Sequence, residues 1–147
     1  MRNLDPKLYT DPAVLNAECE RIFWTSWQLI GPASKLAGAG DYVATGIAGA
    51  KVVAVRGKDG TLREFRNVCR HRGARLFEEG EGRCNMIRCQ YHNWVYDLDG
   101  SLKQAPWFGE DADFDMADWP LESVHIEVWR GLAFIAIAPA VSLEQQL

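Results

Sequence analysis

Short apolar runs, separated by glycine, proline and aspartate, follow one another from Trp27 to Ala136. Runs of this length with turn residues between them are typical of antiparallel β structure. Residues 104–120, rich in aspartate, proline and aromatic residues, predict a long surface loop. The predicted strands are residues 27–30, 41–46, 51–55, 62–65, 85–88, 94–97, 124–129 and 132–136. We therefore predict a mainly β protein, built as an antiparallel β sandwich or small barrel.

Before Trp27 the apolar residues have a helical spacing. Asp11 is a suitable N-cap, and Pro12 is tolerated at the first position of a helix. From Leu15 onward, apolar side chains recur every three or four residues, which is the pattern of an amphipathic helix. We expect a short N-terminal helix that ends near Trp24 and packs on the sheet.

Composition and charge narrow the class of protein. The chain has 147 residues, 48% of them hydrophobic and 24% charged, which is an ordinary balance for one globular domain. A net charge of −4 gives no support for nucleic-acid binding. The sequence has neither an apolar run long enough to span a membrane nor the apolar core of a signal peptide. We expect a cytoplasmic protein in which Cys19 and Cys84 are buried thiols with no chemical role.

Four metal-binding side chains occur in two similar short motifs. The first is Cys69-x-His71 and the second is Cys89-x-x-His92, with residues 72–88 between them. Thiolate ligands favour iron–sulfur clusters or zinc, and imidazole suits either. A Rieske cluster requires two Cys and two His, whereas finger-type zinc sites usually keep the Cys in one pair and the His in another. The mixed motifs favour iron–sulfur, and a structural zinc site is the alternative.

Both motifs follow predicted strands. Cys69 comes after the strand at 62–65 and Cys89 after the strand at 85–88, while Gly73 supplies the backbone freedom that a tight ligand loop needs. Two loops projected from neighbouring hairpins can hold a cluster between them. We expect a rubredoxin-like cluster-binding subdomain set into the larger β domain.

The segments C-R-H-R-G-A-R-L at 69–76 and C-Q-Y-H-N-W-V-Y-D-L-D-G at 89–100 resemble the Rieske domain of ring-hydroxylating oxygenase α subunits. The helix before Trp27, Asn67 and the segment at 127–134 also fit that domain. One departure is Asn93, because the family usually has Gly after the second His. Asn tolerates a positive φ better than most residues do, so we expect the loop to keep its shape.

The resemblance implies a role for each motif residue. Cys69 and Cys89 would bind one iron of a 2Fe–2S cluster as thiolates, and His71 and His92 would bind the other as neutral imidazoles. Backbone N–H groups near the second-shell residues would support the cluster sulfurs. These residues are Arg72, Tyr91 and Trp94.

The resemblance also implies a division of the chain. Residues 1–26 would be an N-terminal helical segment, residues 27–140 the Rieske domain and residues 66–105 its cluster-binding part. Residues 141–147 would be a tail leading toward a catalytic domain that lies outside this chain.

The implied function is one-electron transfer. Electrons would come from a reductase or ferredoxin and pass to the mononuclear iron of an aromatic-ring-hydroxylating type of oxygenase, within a homotrimer. That iron is held by two His and one carboxylate. The chain has three His, and two of them belong to the cluster motif, which leaves His125. We therefore expect no complete oxygenase active site in these residues, and the alternatives are a free-standing Rieske-type ferredoxin and a zinc-binding domain.

Two further expectations concern the surroundings of the cluster. Respiratory-chain Rieske proteins place a Ser hydroxyl where this chain has Trp94, so the potential should lie toward the low end of the Rieske range, about −150 mV. Trp94, Trp107 and Phe108 are candidates to shield the cluster or to pack in the core.

A basic cluster lies beside the first motif. It consists of Arg70, Arg72 and Arg75. Two readings are open: a solvated surface balanced by nearby glutamates, or a docking site for an acidic electron donor.

Overall fold

Seven strands of the chain form one antiparallel sheet in the computed structural model, which describes residues 3–108 and 113–147. The strands are β1 (Gln28–Pro32), β2 (Asp41–Ile47), β3 (Ala50–Arg56), β4 (Leu62–Arg66), β5 (Gly80–Arg83), β9 (Ser123–Trp129) and β10 (Leu132–Ala136). The order across the sheet is β1-β10-β9-β4-β3-β2-β5. A mainly β, antiparallel architecture is confirmed, and the sheet curls into a half-barrel.

The centre of the large sheet is aliphatic. In β3, the residues from Val52 to Val55 are all buried, and Val53 lies opposite Phe65 of β4. A run of valines and one alanine buried on both faces suits an interior strand of a curled sheet. The strand β4 leads directly to the first ligand motif, so a strand from the middle of the large sheet positions Cys69.

A second, three-stranded sheet carries the other ligand motif. It consists of β6 (Ile87–Arg88), β7 (Val95–Tyr96) and β8 (Leu102–Gln104). Its residues Ile87, Tyr96 and Leu102 share one core with Phe65 of the large sheet. The sequence did not indicate β5 or β8. All four residues of β5 are exposed and β8 has one buried residue, Leu102, so neither has the apolar alternation that predicts a strand.

The N-terminal segment begins as predicted but does not pack as predicted. Asp11 caps the helix α1 (Pro12–Glu18) by accepting from the Ala13 amide, and a π-helical turn follows at Cys19–Phe23. No residue of either element is buried, and Leu15 and Ile22 are 56% and 55% exposed. The expected packing on the sheet is wrong, because helical spacing shows which face is apolar but not what covers it.

The ends of the domain meet near Trp27. The short helix α2 (Leu143–Gln146) is capped by Ser142, and Leu143 is buried in the same cluster as Trp27. The indole Nε1–H of Trp27 donates to the Val141 carbonyl at 2.9 Å. The tail at 141–147 thus folds back onto the domain.

The predicted surface loop at 104–120 is only partly a surface loop. Phe108, Phe114 and Trp119 are half-buried against the main core, and a 3-10 turn forms at Met116–Asp118. Residues 109–112 lie outside the described ranges. Among the helices that the structure describes, none is both long and apolar enough to cross a membrane.

Candidate metal centre

The first ligand motif is a tight turn closed by two backbone hydrogen bonds. The Cys69 amide donates to the Ala74 carbonyl at 2.7 Å, and the Gly73 amide donates to the Cys69 carbonyl at 2.9 Å. Gly73 has a φ of 68°, a value that favours glycine. Buried Asn67 fixes the approach to the turn, since its side chain exchanges two hydrogen bonds with the backbone of Phe77.

The second motif repeats this turn. The Cys89 amide donates to the Trp94 carbonyl at 2.8 Å, and the Asn93 amide donates to the Cys89 carbonyl at 3.1 Å. Asn93 has a φ of 57° and occupies the position that Gly73 has in the first turn. The expectation that Asn can replace Gly here is confirmed. The two turns therefore share one hydrogen-bonding pattern, with the His one residue later in the second.

The turns bring the four predicted donors together as two pairs. Cys69 and Cys89 are each 2% exposed, and the pKa of Cys69 is raised first by burial and then by the neighbouring Cys89 thiol. The rings of His71 and His92 have centroids 4.6 Å apart, at an interplanar angle of 69°. Within residues 3–108 and 113–147, no three His, Cys, Asp or Glu side chains are grouped for a single metal ion. Two pairs of donors suit a binuclear cluster, in which each iron takes two protein ligands.

The chemistry of these side chains also fits a cluster. His92 Nδ1 is buried without a hydrogen-bond partner, which is costly unless a ligand accounts for it. Burial, followed by the charges of His92 and Arg72, lowers the pKa of His71, so the neutral imidazole that a metal requires is favoured. Burial raises the pKa of Cys69, so its thiol proton would be released when metal binds.

Tyr96 contacts the site and was not among the predicted site residues. Its hydroxyl lies 3.3 Å from Cys69 Sγ and accepts the Arg70 amide at 3.1 Å. Burial and the neighbouring Cys69 raise the pKa of Tyr96 well above its usual range. The hydroxyl therefore stays protonated and can donate a hydrogen bond to the sulfur. No local pattern in the sequence marked Tyr96, because its contact with Cys69 joins residues 27 positions apart.

Aromatic side chains enclose one side of the His pair. The Trp94 ring stacks on His71 with centroids 4.9 Å apart and planes 8° apart, and Phe108 meets His71 edge-on at 5.1 Å. Phe114 and Trp119 pack against Trp94 from behind. Trp94 and Phe108 thus have the shielding position that the sequence suggested. Trp107 does not, since it is 83% exposed.

The predicted second-shell residues lie on the two turns. The hydrogen bonds that close the turns are donated by the amides of the two Cys, Gly73 and Asn93. The amides of Arg72, Tyr91 and Trp94 donate none of these bonds. The Arg72 and Tyr91 side chains are exposed, whereas Trp94 is buried.

The basic cluster separates into two kinds of arginine. Arg75 pairs with Glu78 at 2.7 Å, as expected for a balanced solvated surface. Arg70 and Arg72 are exposed, and no carboxylate in the described ranges lies within ion-pair distance of either.

Comparison with known proteins identifies the family. Residues 26–123 match the Rieske [2Fe-2S] domain family. The carnitine monooxygenase oxygenase subunit of Escherichia coli (strain K12) is 43% identical over 143 residues, which cover 96% of this chain and 38% of that protein. The biphenyl dioxygenase α subunit of Paraburkholderia xenovorans (strain LB400) is 37% identical over 139 residues, covering 89% of this chain and 30% of that subunit.

Solved structures of Rieske oxygenases have the same fold as this chain. The quaternary ammonium Rieske monooxygenase CntA in complex with L-carnitine superposes with a TM-score of 0.88 at 38% identity, over 96% of this chain and 40% of that one. This chain therefore belongs to the Rieske [2Fe-2S] domain family, whose cofactor is a Rieske-type 2Fe–2S cluster, and it is related to oxygenase subunits. It spans less than half the length of these relatives.

Proposed function

We propose that this chain is the electron-transfer domain of a Rieske non-haem iron oxygenase. It would accept electrons one at a time from a reductase or ferredoxin and deliver them to a mononuclear iron held by a catalytic domain outside these residues. The observation that carries the proposal is the pair of matching turns, each presenting one Cys and one His. Membership in the Rieske family and similarity to oxygenase subunits support it.

The proposed ligands are Cys69 and Cys89 on one iron and His71 and His92 on the other. Burial of both Cys and the unpartnered His92 Nδ1 support this assignment. When bound, a cluster of this type supplies reversible storage of one electron. The exposed edge of the His pair would be the route of entry and exit, because the Cys pair lies in the core.

The side chains around the ligands have separate proposed tasks. Tyr96 would donate a hydrogen bond to Cys69 Sγ, and Trp94 would fix the ring plane of His71 by stacking. The amides near Arg72, Tyr91 and Trp94 would face the bridging sulfides. Together these groups would exclude water from the Cys pair and limit reorganisation when the charge changes.

We further propose the division of the chain. Residues 27–140 would form the Rieske domain, with the cluster in 66–105, and the segments 1–26 and 141–147 would connect it to the rest of an oxygenase subunit. The family match over 26–123 supports the main domain. In that subunit the domain would work with a catalytic domain and a separate donor protein, within a homotrimer.

The test is spectroscopic. The purified protein, expressed with iron and sulfide available, should be reddish brown and should give a rhombic EPR signal of low average g after reduction with dithionite. A Cys84→Ser variant, which changes a thiol outside the motif, should retain both properties, and Cys89→Ser should lose them. A colourless protein with stoichiometric zinc would contradict the proposal.

A further inference from the structure

The strand that carries Tyr96 is too short to fix its side chain. Strand β7 consists of Val95 and Tyr96 alone, and its pairing with β8 shifts register between these two residues. The Tyr96 hydroxyl nevertheless lies 3.3 Å from Cys69 Sγ, which belongs to a turn that follows the other sheet. A contact of this kind depends on neighbouring groups that hold the side chain in place. Contacts outside β7 are therefore needed to position Tyr96.

The turn that directly follows Tyr96, residues 97–100, has the same structure as the turn between β3 and β4, residues 57–60. In each turn the first amide donates to the carbonyl four residues later, and the fourth amide donates to the first carbonyl, at 2.8 to 3.0 Å. An aspartate at the third position, Asp59 or Asp99, accepts from the amide two residues later. A cleft of about 160 Å³ lies between the two turns, so they face each other.

An ion pair joins the two turns across this cleft. Lys58 Nζ lies 2.8 Å from Asp97 Oδ1, and the two side chains are 58% and 26% exposed. The same oxygen of Asp97 also accepts from the Leu98 amide. Lys58, followed by the Leu98 amide, lowers the pKa of Asp97, so this carboxyl is charged at neutral pH. None of the other ion pairs between described residues joins the large sheet to the small one.

The far end of the same turn packs directly on the large sheet. A Cβ at Gly100 would lie 2.5 Å from the Phe65 ring, so the turn approaches β4 as closely as a glycine allows. The Gly100 carbonyl also accepts the Leu121 amide at 2.8 Å. The turn is thus fixed against the large sheet at both ends, by Lys58 next to Tyr96 and by Phe65 at Gly100.

We propose that the Lys58–Asp97 ion pair positions the Tyr96 hydroxyl at Cys69 Sγ and thereby helps to set the potential of the cluster. Lys58 and Asp97 are positioning residues, because they act on the sulfur through Tyr96. A hydrogen bond to a ligand sulfur stabilises the reduced, more negative form, so loss of the ion pair should lower the midpoint potential. The inference rests on the proposed function and adds how this hydrogen bond is kept in place.

The test uses the opposite charges of the two residues. At about 0.15 M salt, exposed charges more than about 8 Å apart are largely screened, and any remaining effect through space has opposite signs for Lys58→Met and Asp97→Asn. Loss of positioning predicts instead that both variants lower the potential, each by about half of the shift that Tyr96→Phe causes, because the bond is weakened rather than removed. Protein-film voltammetry measures these shifts. Lys58→Arg should restore the wild-type potential.

Asp59→Asn is the matched control. It removes a negative charge from the same cleft but breaks a pair with Arg63 that lies within the large sheet's own hairpin. Its potential should equal that of wild type. An exposed ion pair contributes little to global stability, so all of these variants should fold normally and have an unchanged visible spectrum.

The double variants show whether the effect passes through Tyr96. In the Tyr96→Phe background, Lys58→Met and Asp97→Asn should cause no further shift, because the hydroxyl that they position is gone. Shifts of opposite sign in the two single variants, or shifts of the same size with and without the hydroxyl, would overturn the proposal.

Hydrogen exchange provides a readout that does not depend on the cluster. Amides of residues 95–97 should exchange about tenfold faster in Lys58→Met than in wild type, while those of β3 are unchanged. Equal exchange at residues 95–97 would overturn the positioning role. A wild type without a Rieske signal would contradict the proposed function, and the exchange rates would still test the ion pair. A normal Rieske signal with unchanged potentials in both single variants would overturn this inference alone.

Discussion

The two sheets each carry one ligand turn, but they are stabilised in different ways. The large sheet has strands of up to seven residues, such as β3, around an aliphatic core. The small sheet has two strands of two residues, β6 and β7, and the core that it shares with the large sheet contains the Cys pair and several aromatic rings besides aliphatic side chains. Strands this short are not stable by themselves. From the difference in strand length we expect the large sheet to stay folded without metal and the small sheet to depend on the site it encloses.

Removing the metal should have the largest effect on the difference between the two sheets. In Cys89→Ser, amides of β6 to β8 should lose about 3 kcal/mol or more of protection, on the order of a hundredfold in hydrogen-exchange rate, because the metal no longer ties the turns together. Amides of β3 and β4 should keep their protection against hydrogen exchange. Hydrogen exchange with mass spectrometry measures both, and Cys84→Ser is the control. Uniform loss across both sheets would refute a separate scaffold.

A buried carboxyl in the large sheet allows the scaffold to be changed without touching the ligand turns. Glu64 is 2% exposed and neither carboxyl oxygen has a hydrogen-bond partner, while Nη1 of Arg66 on the same strand is also buried and unpartnered. Burial raises the pKa of Glu64 to about 9. The folded protein therefore binds one more proton than the unfolded chain between about pH 4.5 and 9, and its stability falls as pH rises through this range.

Glu64→Gln removes this dependence. The variant should be more stable than wild type at pH 7 by on the order of 3 kcal/mol, and the difference should shrink toward pH 4.5 and grow toward pH 9. Urea unfolding at pH 5.5, 7 and 8.5 measures it, with an unchanged visible spectrum as the check on the site. A difference in stability that does not vary with pH would show that Glu64 is not buried in its protonated, neutral form.

The matching turns predict matching responses to alanine. Gly73→Ala and Asn93→Ala should each destabilise the protein by about 1–2 kcal/mol, because both positions require a positive φ. A Cβ at Gly73 would have no heavy atom within 4 Å outside its immediate chain neighbours, so the effect there is conformational rather than steric. Asn93→Gly should be neutral or slightly stabilising. Thermal unfolding measures these changes, and a large difference between the two alanine variants would mean that the turns are not equivalent.

Tyr96 distinguishes the turns, because its hydroxyl contacts Cys69 Sγ. A hydrogen bond to a ligand sulfur stabilises the reduced, more negative form. Tyr96→Phe should therefore lower the midpoint potential by some tens of millivolts, about 20–60 mV for a bond of about 0.5–1.5 kcal/mol and one electron. Protein-film voltammetry measures the shift, and an unchanged or higher potential would exclude this role for Tyr96.

The sequence was most informative where chemistry and backbone geometry are local. Both motifs and the positive φ at Asn93 follow from residue type and spacing, as does the cap at Asp11. The exposure of the N-terminal helix and of Trp107 could not be predicted, because an apolar pattern does not identify the surface that covers it. The contact of Tyr96 with Cys69 joins residues 27 positions apart and depends on how the small sheet lies on the large one.

The ligand assignment can be tested directly by pulsed EPR on reduced protein labelled with ¹⁵N-histidine. Two strongly coupled histidine nitrogens should be present in wild type and in His125→Ala, because His125 is exposed on β9 and outside both turns. His71→Ala and His92→Ala should each lose this two-nitrogen signature. Fewer than two coupled histidine nitrogens in wild type, or a change in His125→Ala, would contradict a cluster held by two Cys and two His on these turns.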